Sequence, residues 1–289
     1  MLKHQNEHRI FDEKSEYVKY RRILVDWLAD IQFKFHLQPH TTHVAVMYMD
    51  RIMQSCAVPR DSLQIVSLVC LLIAAKFEER EIDVPTIDML VQELRTPDLS
   101  KDREKEEMRL RKHIVQIEIM ILNRLKWDLS EFTPLHFLAH FLHKGVLFEN
   151  DMIDSMHQHQ QEQPSLKRIL KQFKKYTNFF AELALQDYAF QAFPSSVVAA
   201  AIVVATRKAI NIVPMWRPEL EKPLHCTAEK IRDCVALVLE LHHEHRRIAM
   251  SVSTPPPQVD TTKAEGFDKN TSTAEPDTPD GVDGICMFE

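Results

Sequence analysis

Residues 71–80 read LLIAAKFEER, and they close a long apolar stretch. From residue 63 to residue 74 only Gln64 and Ser67 are polar, and then an ammonium arrives at Lys76, with Glu78 and Glu79 close behind. A lysine at the lip of an apolar helix has two readings. It complements the negative C-terminal end of its own helix, or its three N–H donors are held for acceptors elsewhere. Glu118 raises the matching question, because it stands between Ile117 and Ile119. A carboxylate only accepts hydrogen bonds and is costly to bury without donors, so on position alone Glu118 reads as the polar edge of an amphipathic helix. Other chemistry-bearing groups lead less far. Asp26 and Asp30 lie four apart on one helix, yet paired carboxylates with no nucleophile, lid or phosphate loop do not assemble an enzyme. The run HHEH at 242–245 invites a metal reading. No HExxH and no Cys/His quartet with ligand spacing accompanies it, so it reads as a solvated helix end, and no metal or other cofactor is expected.

The elements that must position these groups are helices. Gly145 is the only glycine before residue 251, whereas a sheet protein of this length needs many for its turns. Prolines punctuate instead, at 39, 59, 85, 97, 134, 164, 194, 214, 218 and 223, and the segments between them are rich in Leu, Ile, Met, Ala, Lys and Glu. The spacing predicts helices over 20–36, 41–56 (opening on a threonine cap), 62–80 (capped at Asp61, with Gln64 three positions on), 86–95 and 104–126. A second series follows from Pro134: 134–147, 165–187, 194–211, a short piece at 218–222, and 227–247. The helices through 63–75 and 197–205 are apolar nearly all round, so each is expected at the buried centre of a bundle. The expected fold is all-α, two tandem five-helix units each wrapped round a central helix. The divisions are an N-terminal arm (1–19), a first unit (20–131), a second unit (132–248) and a tail (249–289). The tail holds five prolines, three glycines and few apolar residues, and it is expected to be disordered.

Composition excludes several classes. Of the net charge of −6, residues 251–289 account for all, with eight acidic and two basic side chains; the remaining body carries 34 of each sign. A balanced body argues against a nucleic-acid footprint. The five cysteines form no CxxC pair and read as free thiols in a reducing compartment. No secretory signal is seen at the N-terminus, and the longest apolar runs fall well short of the ~18 residues of a membrane span.

Four blocks in order and register now carry a resemblance: RRILVDWLADIQFKFHL, HVAVMYMDRIM, SLQIVSLVCLLIAAKFEER and QIEIMILNRLKWDLSEFTPLHFL. They resemble the cyclin box. LALQDYAFQAFPSSVVAAAIVVATRK and MWRPEL resemble the second cyclin repeat, so the likeness covers roughly residues 15–247. Within the family, LQDYAF and KFEEREIDVP look most like the cyclin J branch.

The resemblance implies a non-catalytic regulatory subunit. It would form a heterodimer with a cyclin-dependent Ser/Thr protein kinase, activate it, serve cell-cycle progression, and reside in the nucleus and also the cytoplasm. It implies that Lys76 and Glu118 bond to the kinase main chain beside its C-helix, with Phe77, Ile73, Trp127 and Leu129 supplying apolar contact. It implies a structural pair, Arg21 with Asp50, tying the first helix to the second; an Arg fork donates to a carboxylate bidentately. It implies a groove of Ile23, Leu24, Trp27, Asp30, Leu63 and Gln64 for substrates bearing Arg-x-Leu motifs, although Tyr20 stands where groove-bearing cyclins have methionine. Competing expectations are a cyclin-fold scaffold that binds a kinase without activating it, and a transcription-factor-like adaptor. In the tail, Thr254 and Thr278 each precede proline and are candidate phosphosites.

Overall fold

The two most apolar stretches of the chain form its two most buried helices. The computed structural model describes residues 16–94, 103–153, 166–222 and 224–253. Ten α-helices lie among them: α1 (Glu16–Lys34), α2 (Pro39–Ser55), α3 (Arg60–Glu78), α4 (Ile87–Leu94), α5 (Arg103–Arg124), α6 (Pro134–Lys144), α7 (Leu166–Gln186), α8 (Ser195–Ala209), α9 (Pro218–Glu221) and α10 (Ala228–Ser253). α3 buries Leu63 and every residue from Ile65 to Ala75, and α1, α2 and α5 pack round it. α8 buries every residue from Ser196 to Arg207, and α6, α7 and α10 pack round it. Each large aliphatic side chain removed from water contributes about 1.5–3 kcal/mol, so the two central helices carry most of the cohesion. The expected pair of five-helix units is present. The structure adds two 3₁₀ turns, Glu81–Asp83 and Tyr188–Ala192, and a two-residue antiparallel ladder in which Met152 pairs with Val213 and Ile153 with Ile212.

Four helix ends depart from expectation. α2 starts at Pro39, with Gln38 as its N-cap residue, and no threonine cap forms. Glu79 does that work from a distance: its Oε1 accepts the Gln38 N–H and the Thr41 hydroxyl, each at 2.6 Å. α3 starts at Arg60 behind Pro59, which leaves Asp61 inside the first turn and Gln64 outside any capping box. Proline suits the entry to a helix because its missing N–H would be unsatisfied there anyway; Pro194 holds the same place ahead of α8. α1 begins at Glu16 and α10 runs to Ser253, so the folded body extends four residues before 20 and five beyond 248. Ile248, Ala249 and Met250 are adequate helix formers, and the helix stops only at the residue ahead of Thr254-Pro255. Thr254, Thr278 and the rest of the tail lie outside the described residues.

Cys70, Cys226 and Cys234 are buried free thiols and Cys56 is half-buried. Burial pushes the Cys234 thiol up to about 12. No helix among the described residues is long and apolar enough to cross a membrane.

Candidate docking surface

The last turn of α3 leaves the core, and it brings Lys76 to the rim. α5 packs beside it and presents Glu118, so the Lys76 Nζ donates to Glu118 Oε1 at 2.5 Å across 42 residues of sequence. The lysine side chain is 47% exposed and the glutamate 13%. Exposed apolar side chains neighbour the pair in sequence: Phe77 (51%) follows Lys76, Val115 lies one turn before Glu118 on α5, and Ile119 directly follows it. Lys76 also borders an open depression of about 590 Å³ lined by Leu72, Glu79, Val84, Pro85 and Ile87. An ion pair so placed contributes little to stability, because water screens it. Both groups keep hydrogen-bonding capacity for a partner, the lysine as a three-donor cation and the glutamate as an acceptor.

The other residues expected here divide. Trp127 is 66% exposed. Ile73 is 2% exposed and lies in the core, because α3 is buried at every residue from Ile65 to Ala75; Leu129 is half-buried against the same core. Lys126 and Trp127 have φ of 55° and 59°, two successive non-glycine residues in the left-handed region. That conformation costs roughly 1–2 kcal/mol per residue and persists only when its surroundings enforce it. α2 supplies the enforcement. The Tyr48 hydroxyl donates to the Leu129 carbonyl at 2.7 Å, and Arg51 donates to the Asp128 carbonyl at 2.9 Å and to Glu131 at 2.7 Å. Sequence reasoning missed Tyr48, Arg51 and Glu131; the donors Tyr48 and Arg51 end chiefly on main-chain oxygens, those of Leu125, Asp128 and Leu129.

Arg21 and Asp50 form a bidentate pair, Nε to Oδ1 at 2.9 Å and Nη2 to Oδ2 at 3.0 Å, with side chains 1% and 0% exposed. The Tyr17 hydroxyl also donates to Asp50. Burial opposes the charge on Arg21, and the adjacent Asp50 carboxylate more than restores it, holding the guanidinium above its ordinary range. The remaining nitrogen donates to the carbonyls of Leu185 at 2.9 Å and Gln186 at 3.3 Å. These are end carbonyls of α7, groups a helix cannot satisfy itself. The pair therefore joins the second unit to α1 and α2, and Gln186 Nε2 adds a bond to Asp26 Oδ1 at 2.9 Å.

The expected groove is partly exposed. Ile23 is 63% exposed, Asp30 and Gln64 are exposed, and Trp27 is half-buried against the core; Leu24 and Leu63 are core residues. The Arg60 guanidinium lies 4.7 Å over the Tyr20 ring, at the residue that departs from the groove-bearing pattern.

In the second unit the HHEH run is solvated only in part: His243 and Glu244 are exposed and His245 is half-buried, and α10 continues past them to Ser253. His242 is 0% exposed and edge-on to the rings of Phe179 and Phe180. Neither of its ring nitrogens has a hydrogen-bond partner, and burial pushes its pKa down to about 4. Among the described residues no group of three or more His, Cys, Asp or Glu side chains is placed to hold a metal ion.

Residues 1–130 match the family model described as the cyclin N-terminal domain, and residues 132–255 the cyclin C-terminal domain. The chain is 29% identical over 247 residues to the cyclin-J-like protein of Mus musculus, covering 84% of this chain and 60% of that one. It is 30% identical over 222 residues to the G2/mitotic-specific cyclin S13-7 of Glycine max, covering 77% of this chain and 73% of that one. The chain thus spans well under two thirds of the mouse relative's length. Among solved structures, the viral cyclin of herpesvirus saimiri superposes with a TM-score of 0.58 at 18% identity, over 80% of this chain and 87% of that one, and shares its fold.

Proposed function

This chain belongs to the cyclin family, and on that premise we propose that it is the regulatory subunit of a cyclin-dependent Ser/Thr protein kinase. In this reading it contributes no catalytic group of its own. It acts as a ligand that binds the active conformation of the kinase better than the inactive one. Docked against the kinase C-helix, it favours the inward position in which the catalytic Lys–Glu ion pair forms and the activation loop is released. One observation carries the reading: Lys76 and Glu118 converge at the rim of the first unit, next in sequence to exposed Phe77 and Ile119. In the unbound chain the two charges satisfy each other. On docking, the ammonium turns to main-chain carbonyls of the kinase and the carboxylate to its free N–H groups. The cell-cycle role, the nuclear and cytoplasmic location, and recruitment of Arg-x-Leu substrates through Ile23, Trp27, Asp30 and Gln64 belong to the same proposal.

The test is co-expression with a panel of cyclin-dependent kinases, pull-down, and a histone kinase assay. A complex with raised kinase activity is expected. Lys76→Ala with Glu118→Ala should weaken it by more than tenfold, since truncating one partner of a desolvated polar contact costs about 2–5 kcal/mol. Retention of no kinase by the unmodified chain defeats the assignment. A complex with no gain in activity replaces it with a scaffold.

A further inference from the structure

The first half of α7 is one-signed. Lys167, Arg168, Lys171, Lys174 and Lys175 fall within nine residues, and the first carboxylate of the helix is Glu182. Two of these cations occupy the first turn of α7, which has no acidic residue. That is the positive end of the helix dipole, where cations are disfavoured. Lys167, Lys171 and Lys174 recur at helical spacing and share a face, so they also repel one another. These three and Arg168 are exposed, and none has a hydrogen bond or ion pair to a described residue. Leu166 (63% exposed) and Leu170 (42%) lie along the edge of the same face. An arrangement that is locally unfavourable and, at Lys167, Arg168, Lys171 and Lys174, left uncompensated among the described residues calls for an anion with some apolar character.

The chain carries such a segment. Residues 275–289, EPDTPDGVDGICMFE, hold five carboxylates and no lysine or arginine, interleaved with Val282, Ile285, Met287 and Phe288. We propose that this acidic, apolar end of the tail docks on the basic face of α7 formed by Lys167, Arg168, Lys171 and Lys174, with its apolar residues over Leu166 and Leu170.

The geometry allows it. The Phe179 ring lies 5.6 Å from that of His242 and 6.0 Å from that of His245. Further along, Leu183 and Gln186 line one cleft with Glu244 and Ile248. Residue numbers rise together, so α10 runs parallel to α7 and delivers the tail beside the C-terminal end of α7. Returning to Lys171 means travelling about 25–30 Å along the helix, at ~1.5 Å per residue. A connector of residues 254–274 spans roughly 25 Å on a root-mean-square basis. Such a match between linker and span gives close to the maximal effective concentration, about 1 mM.

The experiment is lysine footprinting on the full chain, with acetylation rates read residue by residue by mass spectrometry. The unmodified chain is compared with a full-length variant carrying Glu275→Gln, Asp277→Asn, Asp280→Asn, Asp283→Asn and Glu289→Gln. Lys167, Lys171 and Lys174 should react about threefold faster in the variant, the protection given by about 1 mM effective concentration over a site of about 0.5 mM affinity. The unmodified chain should show the same acceleration on going from about 0.05 M to about 1 M NaCl, as screening shortens the reach of the charges. Lys19, Lys112 and Lys126 should not change. Carbodiimide cross-links should join tail carboxylates to Lys171 or Lys174 with a yield independent of protein concentration, and Lys171→Glu with Lys174→Glu should abolish them at an unchanged melting temperature. Equal reactivity in chain and variant, or cross-links to other lysines, overturns the proposal. A yield that rises with protein concentration does so too, because the occupant is then a second copy.

Discussion

Lys76 and Arg207 hold the same place in the two units, each the third residue from the end of its central helix. Lys76 faces outward with its side chain 47% exposed, whereas Arg207 is fully buried. Arg207 donates to Asp151 at 2.6 and 3.0 Å, to the Val146 carbonyl at 2.5 Å and to the Pro214 carbonyl at 2.8 Å. One position thus fixes a loop in the second unit and remains available to a partner in the first. The contrast fits a kinase-docking surface on the first unit.

That contrast predicts opposite phenotypes. Arg207→Ala breaks a buried pair and leaves Asp151 facing Arg217 alone. It should lower stability by about 3–5 kcal/mol in denaturant melts. Lys76→Ala should change stability by under about 1 kcal/mol, because its ion pair is screened. Its effect should appear as a loss of kinase affinity, read by titration calorimetry against the partner. Equal destabilisation by the two substitutions would contradict the division.

Arg21→Lys tests the seam between the units. A lysine keeps the charge but lacks the fork that spans Asp50 and the carbonyls of Leu185 and Gln186 together. Each buried acceptor left without a donor costs about 1–3 kcal/mol. Loss of at least 2 kcal/mol is expected, with faster amide hydrogen exchange at the end of α7 than in α8. Unchanged exchange at α7 would show that Arg21 does not tie the units together.

His242 makes stability depend on pH. Its folded pKa, pushed down to about 4 by burial, lies below the ordinary value of 6.5. The folded state therefore favours the neutral ring. The His242 contribution is fully present above about pH 6.5 and is lost as pH falls from 6.5 toward 4, because the unfolded chain takes up the proton first. Between pH 7 and pH 5 this residue alone removes about 2 kcal/mol. His43, pushed down to about 3 by burial, adds in the same direction. His242→Phe should flatten the slope over that interval in denaturant titrations while keeping the packing on Phe179 and Phe180; a slope equal to that of the unmodified chain would exclude His242 as its source.

The groove on α1 yields a binding prediction. Ile23 is 63% exposed, so Ile23→Asp should cost less than about 0.5 kcal/mol of stability. Fluorescence polarisation should nonetheless show about tenfold weaker binding of an Arg-x-Leu peptide. Asp30→Asn should lower the preference for arginine over lysine in that peptide. Equal peptide binding by Ile23→Asp and the unmodified chain would remove the groove from the proposed function.

The central helices were legible because all-round apolarity has one structural meaning, and the register of the KFEE block with Glu118 located the rim. What escaped the sequence was contact with main-chain oxygens. Arg21 reaching the end of α7, and Arg51 and Tyr48 holding the loop after α5, have no residue-type signature at the accepting end. The burial of His242 was legible and was passed over. Ile231, Val235, Val238, Leu239 and His242 recur at 0, 4, 7, 8 and 11, a helical stripe, but the polar look of HHEH outweighed the periodicity.

The left-handed pair at the end of α5 separates strain from docking. Lys126 and Trp127, at φ 55° and 59°, sit where glycine carries no steric penalty. Trp127 is 66% exposed, and its indole N–H donates to Asn123 at 3.3 Å, so removing it forfeits little packing. Lys126→Gly and Trp127→Gly should each leave stability unchanged or raise it by up to about 1 kcal/mol, with relief of strain offset by the added entropy of the unfolded chain. Against the kinase they should part. Lys126→Gly should bind as the unmodified chain does. Trp127→Gly should lose about tenfold in affinity, the effect of removing an aromatic anchor from an interface. Two glycine substitutions at adjacent residues of like strain would then differ only in the side chain offered to the partner, and equal affinities would place Trp127 outside the docking surface.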